Sequence, residues 1–532
     1  MKLIDVSTMK QLEAAADAGG YSYEKMMIQV GTSLARLVHE RYQAVTKRRV
    51  LGLVGGGNNG GDTLVALTEL NKAGWNVCAV LVQKDLRSQP FVQKLVGSGG
   101  RVSDVDSLER ELKETDLVLD GLIGTGYKPP LKEHFVGVLN VVQKNLTGKT
   151  VVAVDCPSGV DCTTGESSSN VLKAHLTVCM EAVKEGLIKF PAFEYCGELV
   201  TVDLGIPARV LGKFDAGDRV IDQELVRACL PTREHDTHKG SFGRLLVCGG
   251  SVNYPGAPML AARSAYRSGA GLVECALPER IYETAAANNP ENIYTLLEDE
   301  DGVISENAAG TLLKRLTNAS MLLLGPGFGL EETSARFIQR VLFSPTVKNK
   351  SSAIGFLPTG ESPQMVSASM DIPLLIDADG LRLLAKVENW FSKLKNEVVL
   401  TPHPGEMSAL TGLPVNEIQS DRMGVAKEYA RKWKVTLVLK GALTVVAAPD
   451  GKAAVLPYAS SVLAKAGTGD VLAGLIAGLL AQGARARDAA LAGVWLHAEA
   501  ARLVEKDHAN ARSLLPGDLV SAIPRAFASL EK

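Results

Sequence analysis

Twice along this chain, short runs of β-branched and aliphatic residues alternate with amphipathic stretches, and nearly every run ends in glycine, proline or a polar residue. An apolar run too short for a helix, followed by a stretch of helical period, reads as a strand buried on both faces and then a crossover helix. Repeated, the pattern predicts a parallel, doubly wound α/β sheet. In the first half, strands are expected over 50–54, 76–82, 116–119, 150–154 and 199–202, with helices over 64–73 and 135–144. Ahead of them, residues 9–42 have helical periodicity, broken near Gly19 and Gly20. In the second half, strands are expected over 244–248, 271–276, 321–324, 374–376, 398–400, 436–439 and 443–447. Helices are expected there over 260–268, 332–343, 421–433, 471–480 and 489–503. The texture changes between Gly205 and Lys239, where Pro207, Gly212, Gly217 and Pro231 stand among charges. Two domains are therefore expected, 1–215 and 225–530. The loosest stretch, 351–369, reads as a surface excursion.

A chain of 532 residues exceeds one ordinary core, which agrees with that division. Its 57 Lys and Arg against 59 Asp and Glu leave a net charge of −2. That balance makes no electrostatic case for nucleic acid or an anionic membrane as partner. No apolar signal region opens the chain and no run is long enough to span a bilayer. The eight cysteines form no Cys-x-x-Cys pair, so they read as reduced thiols and the cytoplasm is the expected compartment.

The strand ends of the first half are chemically loaded. Gly55, Gly57 and Gly60 satisfy Gly-x-Gly-x-x-Gly, a turn that lets backbone approach a phosphate, although the acidic residue expected about 20 positions on has no clear counterpart (Asp85 falls late). The run Asn58-Asn59-Gly60-Gly61-Asp62 packs two amides and a carboxylate together, more than a tight turn requires. Asp120 opens a second glycine-rich turn through Gly124 and Gly126, and Asp155 opens a third through Pro157 and Ser158. Ligands of open α/β sheets sit at the carboxyl ends of strands. Asn59, Asp120, Asp155 and Ser158 would converge there, and an oxygen-only set suits a hard cation. The alternative is that the aspartates cap helices and Ser158 closes a turn.

In the second half the most informative stretch is Ala-Lys-Ala-Gly-Thr-Gly-Asp-Val-Leu-Ala-Gly, 464–474. A glycine-lined helix start attracts anions, and an Asp in the same turn can take a proton from a hydroxyl. An anion site beside a base is what phosphoryl transfer to an alcohol needs. The alternative is that Asp470 only caps its helix. Further rim motifs are His238-Lys239-Gly240, Pro255-Gly256-Ala257-Pro258, Gly325-Pro326-Gly327, Asp377-Ala378-Asp379, Thr401-Pro402-His403-Pro404-Gly405-Glu406 and Lys440-Gly441-Ala442-Leu443-Thr444.

On these motifs the first half, about 1–207, resembles the NAD(P)H-hydrate epimerase family, and Glu13, Met27 and Gly31 fall near that family's N-terminal pattern. The second half, about 233–528, resembles the NAD(P)H-hydrate dehydratase branch of the ribokinase-like fold, with Thr-Pro-His-Pro-Gly-Glu as its distinguishing run. The resemblance implies an N-terminal Rossmann-like three-layer α/β/α domain followed by a C-terminal ribokinase-like α/β domain. It implies that Asn58, Asn59, Gly60, Gly61 and Asp62 hold the dinucleotide, with Gly124, Thr125, Gly126, Tyr127, Lys128, Pro129 and Pro130. It implies K+ at Asn59, Asp120 and Ser158, and Asp155 as substrate contact and candidate acid/base. In the second half it implies that Ala257, Gly327, His403 and Asp470 contact the hydrated dinucleotide, with Asp470 catalytic. Lys440, Gly441, Ala442, Leu443, Thr444, Thr468 and Gly469 would contact the adenine nucleotide. The implied activity is repair of NADHX and NADPHX: epimerisation of the R and S hydrates, then ADP- and Mg2+-dependent dehydration of the S form by a homo-oligomer. A kinase for a small alcohol would share Gly-Thr-Gly-Asp but leaves the His403 run and the first half unexplained. Thr63, Cys156, Ile28 and Arg382 depart from the family pattern, and Thr63 is expected to crowd its helix start.

Overall fold

Val50, Leu51, Leu53 and Val54 are each at most 2 % exposed, the burial on both faces that a central parallel strand requires. Val50 and Val54 pack on one side of the sheet while Leu51 and Leu53 pack on the other. The computed structural model describes residues 1–44, 47–215, 217–343, 346–347, 365–366, 372–507 and 511–531. They divide into two units, Met1–Val220 and Ile221–Lys532.

The first unit carries β1 (Arg49–Val54), β2 (Asn76–Leu81), β3 (Arg101–Asp104), β4 (Leu117–Gly121), β5 (Thr150–Val154), β6 (Leu176–Met180) and β7 (Glu198–Val202). They form one parallel sheet in the order β3-β2-β1-β4-β5-β6-β7. Helices α1 (Val6–Ala18), α2 (Tyr23–Tyr42) and α3 (Asn58–Lys72) share a core with one face, and α4 (Glu133–Lys144) covers the other. The result is three layers, α/β/α. The strand order reverses between β1 and β4, the place where such sheets bind ligands.

Three features of this unit differ from expectation. Helix α3 begins at Asn58 rather than 64, so the Asn-Asn-Gly-Gly-Asp run is helix, not loop. Packing overrides the poor helix propensity of glycine here. A Cβ on Gly60 would lie 2.0 Å from the Gly55 carbonyl oxygen, and one on Gly61 2.3 Å from Met27 Sδ. Nor does Thr63 crowd the helix: it fills space left by two glycines, where a Cβ on Gly121 would lie 1.9 Å from Thr63 Oγ1 and one on Gly52 2.9 Å from its Cγ2. Its hydroxyl donates to the Asn59 carbonyl at 2.8 Å. Strands β3 and β6 are additional to those expected. The first is a half-exposed edge, and the second holds Thr177, whose buried hydroxyl donates to the Cys196 carbonyl at 2.6 Å.

The second unit carries β8 (Arg244–Cys248), β9 (Leu272–Pro278), β10 (Ile293–Leu297), β11 (Met321–Leu324), β12 (Leu374–Ile376), β13 (Val398–Leu400), β14 (Thr436–Leu439), β15 (Val445–Ala447) and β16 (Ala453–Val455). Their order is β16-β15-β14-β13-β12-β11-β8-β9-β10, parallel except for the β14-β15-β16 meander. The helices that matter for the site are α5 (Gly256–Arg267), α6 (Pro404–Thr411), α7 (Thr468–Ala481) and α8 (Ala486–Asp507). Strand β15 starts at Val445, not 443, because Leu443 has φ +58° and cannot extend a ladder. Helix α7 starts at Thr468, not 471; its residues are buried apart from Gly469 and Asp470, as befits a helix that is apolar all round. It lies backbone-close to α5: a Cβ on Gly474 would sit 2.1 Å from the Ala261 carbonyl oxygen. Apart from the short strand Met365–Val366, the stretch 351–369 lies outside the described residues.

Candidate active sites

In the first unit a cavity of about 400 Å3 opens at the carboxyl ends of β1, β4 and β5. The turn after β1 is pressed against the one after β4, where a Cβ on Gly55 would lie 1.9 Å from the Leu122 carbonyl oxygen. Asn58, Asn59, Asp62, Gly124, Thr125, Gly126 and Asp155 line the cavity, and Glu13 of α1 joins them. Gly60 and Gly61 serve packing inside α3. Tyr127, Lys128, Pro129 and Pro130 lie outside the lining: Tyr127 is buried and Lys128 pairs with Asp161 at 2.9 Å.

Asp120 is fully buried and tied to the neighbouring strand end. Ser158 Oγ donates to its Oδ1 at 2.6 Å and the Ser158 N–H to its Oδ2 at 2.9 Å. These two residues therefore do not serve as helix caps. Burial pushes the Asp120 carboxyl above its ordinary value against those hydrogen bonds, and no cationic side chain among the described residues sits against it. Asn59 Nδ2 donates to the Val154 carbonyl at 2.6 Å, and its Oδ1 faces Gly124, whose Cβ would be 2.8 Å away.

Asp155 has φ +65°, a strained value for a residue with a Cβ. Its Oδ1 is held by the Met180 N–H at 3.0 Å and by an ion pair with Lys184. Lys184 is 1 % exposed and also donates to the Met180 carbonyl at 3.0 Å. Burial works to lower its pKa, but attraction to Asp155 prevails and raises it, so it stays charged. Sequence reasoning missed Lys184. Its signal was a lysine between Glu181 and Glu185 in the otherwise mostly apolar stretch 176–188.

In the second unit a cavity of about 520 Å3 is lined by His403, Lys440, Gly441, Ala442, Thr444, Thr468, Gly469 and Asp470. Leu443 is buried beside them, and Ala257 and Gly327 are neighbours of each other outside this lining, with a Cβ on Gly327 falling 3.1 Å from that of Ala257. The lining also includes the apolar side chains of Leu456, Leu463, Leu472 and Val494. Asp470 makes no capping bond; the N-cap of α7 is Gly467 at φ +92°. Burial, then repulsion from Asp377, pushes the Asp470 carboxyl up to about 7, with Lys440 opposing.

Lys440 sits between the acids and the turn. Its Nζ donates to Asp377 Oδ1 at 2.6 Å, lies 3.6 Å from Glu406 Oε2, and would be 3.6 Å from a Cβ on Gly469. Burial lowers its pKa, attraction to Asp377 and Glu406 raises it, and the net shift is upward. Glu406 is pushed up to about 7 by burial. His403 caps α6: its Nδ1 accepts from the N–H groups of Gly405 and Glu406 at 3.0 and 3.3 Å. That fixes the proton of the neutral ring on Nε2, which stands 3.3 Å from Glu406 Oε1. Burial and the cations Lys440 and Arg382 lower the His403 pKa and keep it neutral.

Another histidine escaped the sequence. His497 of α8 lines the same cavity, its Nε2 is buried without a partner, and burial pulls it down to about 4. A histidine within the Ala-rich 489–501, where Glu499 is the other polar residue, was its signal.

Comparison with known proteins bears on both cavities. Residues 23–186 match the family described as YjeF-related protein N-terminus, and residues 245–346 and 363–525 match the family NAD(P)H-hydrate dehydratase. The Moorella thermoacetica protein called bifunctional NAD(P)H-hydrate repair enzyme Nnr is 33 % identical across 100 % of this chain and 98 % of its own length. The chain belongs to the bifunctional NAD(P)H-hydrate repair enzymes. The Escherichia coli K12 relative of the same name is 31 % identical, covering 96 % of this chain and 91 % of its own. A crystal structure of the ADP/ATP-dependent NAD(P)H-hydrate dehydratase from Bacillus subtilis, co-crystallized with ATP/Mg2+, is 31 % identical over 59 % of this chain and 99 % of that one, at a TM-score of 0.47. The repair family thus spans both units, with an epimerase domain before a dehydratase domain. None of the described helices is long and apolar enough to cross a membrane.

Proposed function

We propose that the first cavity interconverts the R and S forms of NADHX and NADPHX, and that the second dehydrates the S form with ADP as phosphate donor, releasing AMP and phosphate. The observation that carries the second half is the meeting of Asp470, Lys440 and the 467–470 turn in one cavity with His403. Hydroxide leaves poorly and phosphate leaves well. Asp470 takes the proton of the ring hydroxyl, whose oxygen attacks the terminal phosphorus. The N–H groups at the start of α7 and Lys440 stabilise charge on the transferring group. The ring-nitrogen lone pair then breaks the carbon–oxygen bond, expelling phosphate and restoring the double bond. His403 Nε2–H donates to the substrate, and the apolar side chains Leu456, Leu463, Leu472 and Val494 suit the adenine ring. Mg2+ would ride on the polyphosphate, bound by phosphate oxygens and water, and would neutralise phosphate charge.

Asn59 lines the first cavity, and Asp120 and Ser158 are buried outside its lining; their oxygen donors fit K+, because a buried carboxylate with no cationic side chain among the described residues calls for a counter-charge. The ion would supply that charge and hold the two strand ends together. Asp155 is the residue that acts on the substrate. The eight buried free thiols suit a reducing compartment, and a cytoplasmic homo-oligomer is the working form.

The test is incubation of mixed hydrate epimers with the purified chain, with and without ADP and Mg2+, followed at the nicotinamide absorbance. Full conversion of both epimers to NADH or NADPH, dependent on ADP, is expected. A stable phosphorylated alcohol would favour a kinase instead, and no loss of hydrate in the presence of ADP would refute the dehydratase reading.

A further inference from the structure

The first cavity holds more acid than the binding of a dinucleotide explains. Asp62, on the first turns of α3, lines it together with Asp155 of the β5 end, and it is 8 % exposed. No side-chain hydrogen bond from a described residue reaches Asp62, and none reaches Asp155 Oδ2, since Lys184 and the Met180 N–H both bind Oδ1. The charged groups acting on Asp62 are Asp155, Glu13 of α1 and Lys184. Glu13 in turn feels Lys184, Asp155 and Lys10. A buried lysine bound to one of the two acids makes the pair unequal: Lys184 holds Asp155 through Oδ1, and no cation among the described residues is paired with Asp62. Burial and the charge of Asp155 push Asp62 well above the usual carboxylate range, in agreement with that arrangement.

We propose that Asp62 and Asp155 are a donor–acceptor pair for inversion of the hydroxyl-bearing ring carbon, with Lys184 as the positioning residue that holds the Asp155 carboxylate in place. This rests on the epimerase reading above. The balance is as follows. The lone pair of the adjacent ring nitrogen forms a carbon–nitrogen double bond as the carbon–oxygen bond breaks. Asp62 gives its proton to the departing oxygen, which leaves as water. The carbon is now planar. A water on the opposite face forms the new carbon–oxygen bond, its proton goes to Asp155, and the electron pair returns to nitrogen. One proton has moved from Asp62 to Asp155, and exchange with solvent restores the starting state. The reverse reaction uses the same two groups in exchanged roles, as an enzyme working in both directions needs.

The experiment supplies the pure R hydrate without ADP in water enriched in oxygen-18 and reads R and S by chiral chromatography with mass detection. Wild-type chain is expected to incorporate one solvent oxygen per inversion. Asp62→Asn is expected to lose about 100-fold or more in R-to-S exchange, while ADP-dependent loss of S hydrate continues at the wild-type rate. Asp62→Glu, which keeps an acid on a longer arm, retains part of the exchange. Lys184→Met moves the pH optimum of exchange as well as lowering its rate. If wild-type chain does not exchange R and S at all, the epimerase reading itself is wrong. If wild type exchanges but does so without solvent oxygen, or if Asp62→Asn exchanges normally, or if the Glu variant is as slow as the Asn variant, the pair is wrong and the epimerase reading stands.

Discussion

In the proposed dehydration Asp470 must be a carboxylate to take a proton, yet burial and Asp377 push it up to about 7. Dehydration is therefore expected to fall as pH drops below about 7, because the base is then protonated. Glu406 is also pushed up to about 7 and shares Lys440, so the limb reports the pair and not one residue. Lys440→Met removes the cation that opposes the shift and should carry the limb to higher pH; an unmoved pH–rate profile would contradict this. Asp470→Asn should cost about 100-fold or more in ADP-dependent dehydration and leave R-to-S exchange intact. The same change should stabilise the ligand-free chain. A carboxyl raised on folding binds its proton more tightly in the native state, so its stability contribution is present at low pH and lost as pH rises through about 7. At pH 8 the Asn variant is expected to melt higher by about 2 °C or more, and at pH 4 the gap should close. Parallel melting curves at the two pH values are the check.

At the scale of elements, the central strands were legible because β-branched runs buried on both faces leave no alternative, and both loaded rims follow from them. What was not legible came from packing across elements. Nothing local says that 58–62 is helix, since two adjacent glycines argue against it; the decision is made by the Gly55 carbonyl and Met27 pressing on those positions. Nor could Thr63 be paired with Gly52 and Gly121 without knowing that three separate stretches meet. Lys184 and His497 were hidden for a similar reason: one of a few polar residues scattered in a mostly apolar stretch has no periodicity to reveal it. The turn after β1 gives the element-scale prediction. Gly55→Ala places a methyl 1.9 Å from the Leu122 carbonyl oxygen, which must move. We expect exchange of R and S to be lost and the first unit to be destabilised by about 1–3 kcal/mol in a denaturant titration, with dehydration of S unaffected.

At the scale of the whole chain, the cavities to which the two reactions are assigned under the proposed function lie in separate units, each at the carboxyl ends of strands of its own sheet. The expected consequence is complementation in trans. Chains carrying Asp155→Asn and chains carrying Asp470→Asn, each deficient alone on an R hydrate, should repair it when mixed, because the S form diffuses between them. Failure of the mixture, with each variant keeping its remaining activity, would mean that the hydrate is not released between steps. The contact of Gly474 with the Ala261 carbonyl bears on how such a chain can diversify. A duplicated copy under selection for a new substrate has room to vary the greasy floor of the cleft, where side chains meet side chains. Beneath the acid it has none, since there main chain touches main chain, and the smallest enlargement shifts the reactive group before it alters what is recognised.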